Sequence, residues 1–148
     1  MRWMAVVAVI VSLGVAVRPL HADLKAAKAE ADLGKRSKLA LDNASVMLKS
    51  LREAYNAGER QKVNDAADEY VASIDLASES LKATGKNPRK SPKWFKQAEI
   101  ATRDLLKKLE TLQHDLNFDD RSVLDKAKAR TQEVHDELLL GLMEGKKK

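Results

Sequence analysis

Residues 95–116 read FKQAEIATRDLLKKLETLQHDL. Phe95, Ala98, Thr102, Leu105, Leu109, Leu112 and Leu116 follow one another at steps alternating between three and four. An α-helix turns once every 3.6 residues, so that spacing lines these side chains along one narrow face. Most positions between them are Lys, Arg, Asp, Glu, Gln or His, which belong in water. A stripe this narrow is buried by other helices lying nearly along it.

The rest of the chain supplies such partners. Val63, Ala67, Tyr70, Ile74, Ala77 and Leu81 repeat the rule, as do Leu124, Ala127, Thr131, Val134, Leu138 and Gly141. Tyr55 closes a fourth stripe that begins Leu41, Ala44, Leu48, Leu51, and Leu24, Ala27 and Ala31 form a weaker one before it. Extending the period between those two puts Gly34 and Lys38 on the seam, so the first helix is expected to kink or to begin late. Lys38 would then stand level with Glu79, where an ion pair and an outward-snorkelling stem are both open. Tyr55 and Tyr70 are read as core tyrosines with the hydroxyl at an edge, and Met47 as core filling.

Punctuation marks the boundaries. Gly58 and Gly85 can each end a helix, since glycine readily takes the left-handed conformation just past one. Pro88 forbids continuation, Ser91-Pro92 suits a helix start, and Asp119 is the expected cap of the last helix, with Asp120 favourable to its dipole. The predicted fold is all-α: two helical hairpins packed as an antiparallel up-down four-helix bundle.

Ahead of the bundle, Arg2 precedes fifteen uncharged residues from Trp3 to Val17, closed by Arg18-Pro19. A helix of that length spans about 22 Å, short of the roughly 30 Å hydrocarbon core of a bilayer. With Ala22 as a small residue for cleavage, residues 1–22 read as a secretory signal peptide, with an uncleaved N-terminal anchor as the alternative. Residues 23–148 are then one helical domain with a basic C-terminal tail. The expected location is outside the cytoplasmic membrane, periplasmic or secreted.

The chain has no cysteine, which removes disulfides, thiolate metal sites and cysteine-attached haem. Beyond residue 22 only His114 and His135 remain, and helix geometry separates them by about 18 Å within one hairpin. Neither carries a Glu three residues before it, as di-iron bundles require. No Gly-rich phosphate loop or nucleophile elbow is present. The expectation is a non-enzymatic protein with no cofactor and no bound metal, a metal or haem bundle being the remote alternative.

Removing Arg2 and Arg18 from the 27 basic residues leaves 25 against 22 acidic ones, a net charge of about +3 that Lys146, Lys147 and Lys148 account for. Positive charge is therefore local, which argues against nucleic acid as a partner. One internal stretch concentrates it: GKNPRKSPKWFK, residues 85–96, between the two hairpins. Its prolines and glycine suit a linker. Lys90, Lys93 and Lys96, however, crowd the start of a helix, where the dipole favours anions instead. Lys86, Arg89, Lys90, Lys93, Trp94 and Lys96 are thus the candidate contact with an anionic surface. The leading expectation is an exported helical bundle acting through protein or cell-envelope contacts. The alternative is a binding module for an anionic envelope component.

Overall fold

The computed structural model describes residues 23–144. The expected signal peptide, at residues 1–22, and the lysines at 146–148 lie outside them. Every regular element among the described residues is helical: α1 (Leu24–Ala29), α2 (Leu33–Asn56), α3 (Arg60–Ala83), α4 (Lys93–Asp115), a 3₁₀ segment (Phe118–Leu124) and α5 (Asp125–Glu144).

The expected fault in the first helix is a break. Asp23 caps α1 through a hydrogen bond from the Lys25 amide, and Asp32 caps α2 by accepting from Lys35 N at 2.9 Å. That charge-assisted bond holds the Asp32 carboxyl below its ordinary range. Asp32 restarts the helix because it offers the chain a better partner for its free amides than continued winding from Glu30 would. Lys38 is not on the seam; it lies in solvent and pairs with Asp42 one turn on, at 2.7 Å, and the pair with Glu79 does not form.

The stripes are buried as their periods require. Phe95, Ala98, Thr102, Leu105, Leu109, Leu112 and Leu116 are all in the core, as are the α3 stripe and α5 as far as Leu138. The first hairpin buries more: Ser37, Ala40 and Ala54 on α2 and Ala66, Ser73 and Ser80 on α3 join its stripes. Small side chains let those two helix axes approach closely. Asn43 is sealed there, giving its amide to Ser73 Oγ at 2.9 Å and to Glu69 Oε1 at 3.1 Å.

Pairing between the hairpins differs from a simple antiparallel bundle. Within each hairpin the helices are antiparallel: Asn43 meets Ser73, and Thr102 meets His135 at 3.1 Å. Between hairpins, neighbours run parallel. Along α2 and α4, Gly34 meets Trp94, Ser45 meets Lys108 and Arg52 meets Asp115. Along α3 and α5, Tyr70 meets Thr131 and Lys82 meets Glu137. The second hairpin thus lies beside the first in the same sense, like successive repeats of a solenoid. The segment from Thr84 to Pro92 must therefore cross the end of the molecule corner to corner, since α3 and α4 barely touch.

At the opposite end, Tyr55 donates its hydroxyl to Asp120 and receives the Asn117 amide, both at 3.0 Å. Asp120 is therefore occupied by Tyr55 and not by a helix dipole. Asp119 caps nothing either, because the chain passes through the 3₁₀ segment before α5 begins.

Candidate functional site

The crossing segment is where this fold departs from a generic helical stack. Gly85 takes the left-handed conformation (φ 64°) and turns the chain out of α3, as Gly58 (φ 72°) does between α2 and α3. Asn87 then folds the segment on itself: its side chain accepts from Arg89 N and its carbonyl from Lys90 N and Ser91 N. Pro92 directly precedes the first helical residue of α4, one position earlier than its expected place inside the first turn.

Two glycines on other helices fix the crossing in place. A Cβ on Gly141 of α5 would stand 3.2 Å from Pro88 Cγ, so the linker lies directly on the α5 backbone. A Cβ on Gly34 of α2 would overlap the indole of Trp94. Trp94 is half-buried on that bare backbone, with the Lys93 ammonium 4.7 Å from the ring centroid. Trp94 thus holds α4 to α2. Its neighbour Phe95 is core, and beneath the linker a cleft of about 320 Å³ runs among Leu81, Pro88, Phe95, Val134 and Leu138.

The five cations of the stretch have a different environment. Lys86, Arg89, Lys90, Lys93 and Lys96 are all exposed, and none forms an ion pair among the described residues. Elsewhere about half of the described lysines and arginines are matched, among them Arg52 with Asp115, Lys82 with Glu137, and Arg130 with Asp75 and Glu133. The start of α4 has no side-chain cap and no acidic residue in its first turn. The linker end therefore presents positive charge outside any ion pair, with the Asp32 carboxylate near enough to feel Lys86, on a backbone pinned at both sides.

The remaining chemistry-bearing residues are spread through the structure. His135 accepts or donates at Thr102 Oγ1 and lies 3.9 Å from Glu99, while His114 is exposed farther along α4. Among the described residues no three His, Asp or Glu side chains gather as metal ligands would. Tyr70 is fully buried, so its hydroxyl is in the core and not at an edge. The glycine seats of Trp94 and Pro88 had no signal in the sequence beyond two glycines inside helical periods. Compared with family models, curated proteins and solved structures, the chain matches none of them.

Proposed function

We propose that this is an exported, non-enzymatic helical protein that works by contact, and that its contact surface is the linker end, which meets an anionic component of the cell envelope. One observation carries the reading: five exposed cations with no carboxylate partner stand on a segment anchored through Pro88 on Gly141 and Trp94 on Gly34. A tethered, preorganised set of charges loses little entropy on binding, whereas charges on a floppy loop would lose more. Trp94 serves this surface from below, as the anchor of α4.

The test is capture of the tagged protein from intact envelope followed by washing at rising salt. Wild-type protein should be held at low salt and released as salt rises, because exposed attraction is screened within about 10 Å at 0.1 M. The variant with Lys86, Arg89, Lys90, Lys93 and Lys96 all changed to Gln should not be held. Equal retention of both proteins would remove the linker end from the account.

A further inference from the structure

We infer that the anionic component is the phospholipid bilayer surface itself, with the bundle standing on it linker end down and the last turns of α5 entering the headgroup layer; this rests on the contact-surface reading above. Five exposed hydrophobic side chains of size occur among the described residues, and three of them are Leu139, Leu140 and Met143, exposed by 40%, 54% and 69%. They fall within a little over one helical turn of α5, so they form one outward-facing cluster. That turn is at the linker end, because Gly141 between them is the seat of Pro88. Apolar side chains and unpaired cations therefore share one end of the molecule.

That combination is what a bilayer surface takes and a hydrated polyanion does not. A hydrated polymer would use the cations and leave the leucines and methionine in water. At a bilayer the cations meet phosphate while the apolar turn reaches the acyl boundary, and the two signals add. No described helix is long and apolar enough to cross a membrane. In the sequence, Lys146, Lys147 and Lys148 follow the last helical residue of α5, Glu144, after one glycine. Carboxylates share this end without forming ion pairs to the five cations: Glu137 pairs with Lys82, Asp32 caps α2 and feels the charge of Lys86, and Glu30, Glu79, Asp136 and Glu144 stand around them.

The absence of cysteine makes a positional test clean. The protein, in its form after export, carries an environment-sensitive fluorophore on either Met143→Cys or Asn64→Cys, the latter at the opposite end beside Tyr55. On vesicles one-third anionic phospholipid, the Met143→Cys emission should shift to shorter wavelength and the Asn64→Cys emission should not move. Vesicle affinity should fall at least about a hundredfold in the five-Gln variant, from roughly 1 kcal/mol per basic residue. It should fall about tenfold in Leu140→Ser/Met143→Ser, from the apolar area left in water. A protein still held by envelope through its cations, with the Met143→Cys probe unmoved, would overturn the bilayer inference and leave the contact-surface reading standing. A protein held by neither envelope nor vesicles would overturn both.

Discussion

The hydroxyls of Tyr70 and Thr131 stand 2.7 Å apart in the middle of the protein, and neither residue is exposed. Thr131 gives its own proton to the Ala127 carbonyl, so Tyr70 donates and Thr131 accepts. The pair is a buried polar tie between α3 and α5, beneath the more exposed ion pairs of Lys82 with Glu137 and Arg130 with Asp75. Tyr70→Phe keeps the ring and removes the tie. It should cost about 1 kcal/mol in urea unfolding, the net worth of one intramolecular hydrogen bond.

The same residue sets a pH dependence. Burial pushes the Tyr70 phenol up from its ordinary 10.0. Above pH 10 the unfolded chain loses this proton while the folded one keeps it, so the unfolded state is favoured as pH rises. The contribution is fully present below pH 10 and declines above it by at most about 1.4 kcal/mol per pH unit. Comparing wild type with Tyr70→Phe at pH 8 and pH 11 isolates it from the lysines, and wild type should lose more stability between the two.

Leu109 is fully buried at the centre of α4, and Lys107 is exposed two residues before it. Leu109→Ala should cost about 2–5 kcal/mol, the range for a core leucine. Lys107→Ala should stay within about 0.5 kcal/mol. Equal small effects in chemical denaturation would mean that the stripe is not the core.

Gly34 and Trp94 should couple strongly. Alanine is the better helix former by about 1 kcal/mol, so Gly34→Ala in an open helix would stabilise. Here the new methyl displaces the indole, and overpacking of this kind costs about 1–3 kcal/mol. In a Trp94→Ala background the sign should reverse. A double-mutant cycle measured by thermal unfolding checks this, and additive effects would mean that the indole does not rest on Gly34.

Much of this arrangement is legible from spacing alone. The Phe95–Leu116 stripe names its own buried face because helix period depends only on neighbours three and four residues away. Gly34 shows where such reading stops. Periodicity scores the size of a side chain, so a glycine on the seam reads as a fault, when its purpose is to admit an indole sixty residues later. The parallel pairing of α2 with α4 is hidden for the same reason: each stripe asks for a helical partner without saying which. Asp119 misleads because a 3₁₀ turn and an α-helix begin with the same residues, and the hydroxyl of Tyr55 decides what Asp120 does. At the linker end the charges of Lys86, Arg89, Lys90, Lys93 and Lys96 are plain in the sequence. That Trp94 faces inward and that Leu139, Leu140 and Met143 join those charges depend on Gly34 and Gly141.

The claim that most needs testing is that the location of charge, and not its total, gives the protein its contact surface. Two five-residue variants of equal charge separate these: Gln at Lys86, Arg89, Lys90, Lys93 and Lys96, or Gln at Lys49, Arg60, Lys107, Lys126 and Lys128, which are exposed away from the linker. Co-sedimentation of each with envelope fractions at low salt is the measurement. The account predicts that the first variant stays in solution while the second sediments like wild type, with both melting cooperatively. Equal loss from the two variants would contradict it, since net charge alone would then be enough.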